Sequence, residues 1–287
     1  MKRRHRILDH PILGYFLLLI FTSIILSLGG ALDTFIADVL PGYGKEYTMM
    51  GSTIKTASGV GIAIGALAAA GVFYLWFRPG YKGILKTEGL KAGLIMLLPC
   101  LVIHWAGSVV SWITFGTGNV LMAFLWALAP GFGEEVMFRG LGVANYMRTI
   151  KSEKQITTIF MLSSIIFGVA HMSNALAGGD LTSVIYQSVY AIFIGMLLGA
   201  VYLRTGTLWP VILGHFSLDF MEFIRSDLND SAGLMTGMGI GDWITIAASV
   251  VALFLSRRLM NKKYYPEIMQ LWAEKWNRTE DSQPDEI

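Results

Sequence analysis

The chain is poor in the residues that soluble and secreted proteins depend on. Only 15% of its 287 residues are charged, whereas a soluble domain carries about 25%. It has one cysteine, Cys100, inside an apolar run. That excludes an internal disulfide framework and a cysteine-based metal site, and Cys100 reads as a small buried hydrophobe. A net charge of +2 offers no basis for a nucleic-acid partner. No polar stretch is long enough for a soluble domain, and there is no internal repeat. The zinc-protease string HExxH is absent. The run GVGIAIG (59–65) lacks the spacing and the strand-to-helix setting of a dinucleotide fingerprint.

What is abundant is hydrocarbon, since 54% of the residues are hydrophobic. Several runs approach or exceed the ~20 apolar residues that span a bilayer. They are continuously apolar rather than alternating, which favours helices over a barrel. The expected fold is an all-α polytopic membrane protein of about eight transmembrane helices with the active site inside the bundle. The helices are drawn at 11–32, 54–77, 92–115, 119–147, 156–171, 181–203, 211–223 and 243–255. Residues 1–90 read as N-terminal helices and a basic connector (78–91), 91–256 as the core, and 257–287 as a polar, solvated cytoplasmic tail. The basic start MKRRHR and the apolar run after it read as a retained first helix rather than a cleaved leader. The ending PDEI is not a prenylation signal. GxxxG pairs at Gly61/Gly65 and Gly195/Gly199 predict close helix approach. Lys and Arg crowd the segments at 2–6, 78–91, 148–154, 204 and 257–263, against Lys45, Lys55 and Arg225 between them. This asymmetry predicts an even number of crossings with both termini cytoplasmic, in what reads as a bacterial cell membrane.

Within this apolar chain the stretch APGFGEEVMFRG (129–140) places Glu134, Glu135 and Arg139 where hydrocarbon is expected. Ionisable groups inside a membrane segment cost several kcal/mol and mark function. Glu135 and Arg139 are spaced i, i+4 and can pair on one helix face. Glu134 is rotated about 100° away, free for another task. That division suits a general base beside a structural ion pair. Two more patterns follow, FGVAH ending at His171 and HFSLD with His215 and Asp219 at i, i+4. Glu222 extends the second face, and RTGTLWP (204–210) turns the chain into it. Polar groups in hydrocarbon must find each other or water, so these are expected to converge on one cavity. The set suits peptide hydrolysis, with Glu134 taking a proton from water and the histidines with Asp219 orienting water or stabilising an oxyanion. It equally suits a metal site, zinc first, with Glu134, His171 and His215 as ligands from separate helices. His104 reads as a core or interhelical residue.

The ordered set EExxxR, FxxxH and HxxxN/D on successive hydrophobic helices resembles the CPBP intramembrane proteases, which join the type II CAAX prenyl endopeptidases to bacteriocin-processing and abortive-infection-like proteins. The resemblance covers roughly residues 120–225. It implies that Glu134 is the catalytic base, that His171 works on the same water, and that His215 and Asp219 stabilise the oxyanion, with Glu135 and Arg139 in support. It further implies a membrane-embedded or lipid-anchored peptide or protein substrate within the lipid bilayer, no nucleic acid, and a site opening toward the cytoplasm. Helix counting places Glu134 and His215 in the inner half of the bilayer but His171 nearer the outer side. Competing readings are a non-catalytic immunity or scaffold protein of the same fold, a transporter or proton relay, and an aspartyl protease of the GxGD type built on Asp242.

Overall fold

The computed structural model describes residues 8–39, 45–49, 52–56, 60–77, 86–176, 181–225 and 239–276. The basic N-terminal run, most of the connector at 78–91 and the end of the tail from 277 lie outside the described residues. The chain is a polytopic α-helical membrane protein. Among the described residues, six helical spans are long and apolar enough to cross a bilayer. They are α1 (Pro11–Val39), α3 (Leu90–Phe115), the composite Val120–Arg148, one from Glu153 to Leu176, α8 (Leu181–Thr205) and α10 (Ile240–Leu259). The composite begins as α4 (Val120–Leu128) and ends as α5 (Ala144–Arg148); the Glu153–Leu176 span contains α6 (Glu153–Ala170) and α7 (Ser173–Leu176). Eight crossings are therefore not established by length. Helix α2 (Val60–Phe77) is apolar but shorter, and α9 (Trp209–Phe223) has 15 residues and carries His215, Asp219 and Glu222.

Two boundaries differ from those expected. Helix α1 continues to Val39, and residues placed at the start of the second helix form a strand instead. β1 (Lys45–Met49) and β2 (Ser52–Thr56) pair antiparallel, with Lys45 opposite Thr56 and Met49 opposite Ser52. KEYTM and STIKT are rich in β-branched and aromatic residues and carry charge, which favours a hairpin over a helix in hydrocarbon. Beyond them, α1 packs on α2 where Gly29 faces Gly61 and Gly65. A Cβ on Gly61 would collide with the backbone of Gly29 and Asp33. The Asp33 carboxylate then accepts from Gly61 N at 3.1 Å, near the start of α2. Elsewhere α10 packs on α3, α6 on α8, and α9 on both α3 and α4.

The reading of residues 257–287 as a solvated tail is corrected over its described part. Helix α10 runs through Leu259, and a short 3-10 turn (Lys262–Tyr264) leads into α11 (Tyr265–Lys275). Tyr265, Ile268 and Trp272 are buried along one face of α11, at the spacing of a core-facing helix. The segment is polar on average, and that average hides the stripe. Trp272 is fully buried, packs edge-on against Tyr202 at 5.2 Å and donates Nε1–H to Leu203 O at 3.1 Å. Just beyond, Gly206 holds φ at +60° beneath the Lys275 side chain, a backbone state that glycine adopts without strain. Trp272→Ala is expected to cost about 3–5 kcal/mol, read as a lowered unfolding temperature of the detergent-solubilised chain.

Candidate active site

The segment that carries Glu134 is not broken at Pro130–Gly131. Asn119 caps α4 by accepting from Met122 N, and the chain then widens into π-helix over Ala129–Glu134 and Val136–Val143 before α5. Proline lacks the N–H that would continue α-helical bonding, and the local answer is a wider turn rather than a break. π-Helical turns within α-helices occur often at functional sites. Gly131 lets the widened segment press on α9, since a Cβ there would lie 2.5 Å from the Phe216 Cβ.

Glu135 and Arg139 pair as their spacing predicts, with Nη1 donating to Oε1 at 2.8 Å and neither side chain exposed. The structure adds what spacing could not. The same Glu135 oxygen lies 2.8 Å from His215 Nδ1, and His215 Nε2 lies 3.2 Å from Asp219 Oδ2. Arg139 also donates Nη2–H to Gly195 O at 3.0 Å and stacks on the Phe167 ring at 4.3 Å. Gly195 matters here as a carbonyl and as open space for the guanidinium, for a Cβ there would meet Phe167 and Arg139. Gly199, its GxxxG partner, makes only ordinary contacts. The four groups form one line, Arg139–Glu135–His215–Asp219, across the composite span and α9. If both carboxylates are ionised, the ring between them must donate twice and is an imidazolium. The four charges then cancel, as burial requires.

Glu134 stands beside this line without joining it. It is half-buried, and its Oε2 is buried with no hydrogen-bond partner among the described residues. His171 caps the C-terminus of α6, half-buried, with Nδ1 2.9 Å from Phe167 O. A carbonyl only accepts, so Nδ1 carries a proton, which leaves Nε2 as the ring nitrogen available to water or substrate. Phe167 links the two histidines, its ring 5.2 Å from His171 and 5.5 Å from His215. The phenylalanine of FxxxH is thus the wall the site is built around. Sequence reasoning passed over it, although its position four residues before His171 was the available signal.

His104 takes the role expected of it. Nε2 donates to Leu218 O at 3.1 Å and Nδ1 lies 3.0 Å from Tyr190 OH, which steadies α9 one residue before Asp219. Glu222 and Asp242 both pair with Arg225. Asp242 also caps α10 by accepting from Gly239 N at 2.8 Å. Its carboxylate is therefore committed to a cap and an ion pair, and the GxGD reading loses its free aspartate.

The donor set does not fit a preformed zinc site. Among the described residues no three His, Cys, Asp or Glu side chains are arranged to hold a metal ion, and both ring nitrogens of His215 already face carboxylates.

Residues 116–221 match the family model described as type II CAAX prenyl endopeptidase Rce1-like. That segment is thus similar to the Rce1-like family, consistent with the CPBP intramembrane proteases, and the candidate residues Glu134, Glu135, Arg139, His171, His215 and Asp219 lie within it. No curated protein and no solved structure compared with the chain matches it.

Proposed function

We propose that the chain is an intramembrane endopeptidase that hydrolyses a peptide bond of a membrane-embedded or lipid-anchored substrate. The observation that carries this reading is the unequal treatment of adjacent carboxylates: Glu135 is held through its Oε1 by Arg139 and His215, while among the described residues Glu134 makes no ion pair and no side-chain hydrogen bond. Glu134 takes a proton from water, whose second hydrogen is accepted by His171 Nε2. The hydroxide oxygen bonds to the carbonyl carbon, and the carbonyl oxygen becomes an oxyanion. Glu134 then returns the proton to the leaving nitrogen as the C–N bond breaks. No step passes through a metal. Glu135 and Arg139 hold His215 in place.

His215 can serve the oxyanion only after one of its carboxylates withdraws. Asp219 is the one free to do so, being 28% exposed and at 3.2 Å, while Glu135 is fully buried and at 2.8 Å. Asp219→Asn removes the competing anion and adds a donor. A single oxyanion donor is worth about 2.7–4 kcal/mol, so this variant is expected to retain cleavage and raise its rate; a loss of a hundredfold or so on that scale rules the role out.

The central test is comparative peptidomics of cells carrying the chain or its Glu134→Gln variant. Membrane-protein fragments present with the first and missing with the second support a protease. Identical profiles favour a non-catalytic scaffold. We place the protein in a bacterial cell membrane with both termini cytoplasmic, on the distribution of Lys and Arg between its turns.

A further inference from the structure

We infer that substrate reaches this site from the non-cytoplasmic end of the bundle, so that the peptide bonds it cleaves belong to segments on the outer face of the membrane. The inference deepens the protease reading and rests on it.

The basic turns mark one end of the molecule. Arg148, Lys151 and Lys154 lie between α5 and α6 or at their adjoining ends, Arg204 ends α8, and Arg257 and Arg258 end α10. Lys and Arg accumulate on the cytoplasmic side. From there α6 runs for 18 residues before reaching His171, a rise of about 27 Å at ~1.5 Å per residue. That is nearly the full ~30 Å of hydrocarbon, so His171 stands at the opposite end. Helix α9 climbs the same way beside α3. Pro210 lies against Gly93 near the basic start of α3, Leu218 O meets His104 just past its midpoint, and Met221 O meets Trp112 near its far end. Asp219 is therefore in the outer half.

Burial grades along the same axis. Toward the basic end Arg139, Glu135, Thr207 and Leu208 are sealed, and α11 closes that end through Trp272. Among the site residues, only Glu134, His171 and Asp219 are accessible, the three groups that must meet water and peptide. This route departs from the cytoplasmic opening that the family resemblance implies.

Thiol labelling tests this without any turnover. Cys100 is buried and is the chain's single cysteine, so Cys100→Ala supplies a silent background for single-cysteine full-length chains. Ser173→Cys and Asp219→Cys are expected to react with a membrane-impermeant maleimide in intact spheroplasts. Lys154→Cys is expected to react only in inverted vesicles. Ser173→Cys labelled solely from the cytoplasmic side overturns the orientation. Asp219→Cys labelled solely from that side, or from neither, overturns the route of access. If Asp219→Cys fails to fold, Met172→Cys on the same wall tests the same route by the same outcomes. Outer labelling with unchanged peptide profiles in Glu134→Gln would sink the protease reading and leave the access geometry standing. Cytoplasmic labelling with altered profiles would do the reverse.

Discussion

Glu134→Gln is expected to abolish peptide cleavage by the reconstituted protein while leaving its fold intact. Glutamine has nearly the same shape but cannot accept a proton from water. General-base catalysis contributes about 10²–10⁴-fold, and Glu134 has to supply both the first proton transfer and its return, so activity should drop to background. The fold should survive because, among the described residues, Glu134 makes no ion pair and its Oε2 has no hydrogen-bond partner. Removing a buried, unpartnered charge costs nothing in lost contacts and relieves some desolvation. The measurement is cleavage of a membrane-anchored peptide together with the unfolding temperature in detergent. Unchanged cleavage would end the assignment of the base. Lost cleavage with a collapsed unfolding temperature would make Glu134 a structural residue.

Arg139→Met is expected to do the opposite, damaging the fold first. It removes the guanidinium beside Glu135 and leaves that buried carboxylate with His215 as its remaining partner. Breaking a buried pair by deleting one partner costs about 3–5 kcal/mol. The stacking on Phe167 and the bond to Gly195 O are lost as well. Thermal unfolding in detergent reads the loss. Adding Glu135→Gln to Arg139→Met removes the charge that lost its guanidinium, and stability should partly return, although His215 then keeps only Asp219 as a carboxylate partner. If the double variant is no more stable than the single one, Glu135 was not carrying charge in the folded protein.

Much of the site was legible because helical spacing is a local property. The i, i+4 relations of Glu135 with Arg139 and of His215 with Asp219 follow from about 3.6 residues per turn, and both appear in the structure. The close approach at Gly61 was legible for the same reason. Other features were hidden because they depend on which helix lies beside which. Nothing within EExxxR says that Glu135 will meet a histidine 80 residues later, or that the second GxxxG uses only Gly195 tightly. The π-helix was hidden because the N–H that proline lacks is equally compatible with a break and with a wider turn. The docked face of α11 was masked by a composition that is polar on average.

The sequence alone determined that this protein lives in a bilayer, because so apolar a chain with so few charges has no other stable solvent. It also singled out the polar residues within the apolar runs as candidates, because hydrocarbon penalises each of them. Tertiary structure alone decided their division of labour. Packing α9 and α8 against the widened helix ties Glu135 into a four-group line and leaves Glu134 outside it. The run of α6 carries His171 to the far end. Neighbouring residues of identical chemistry thereby acquire different partners, and partners are a property of three-dimensional packing that no local pattern encodes.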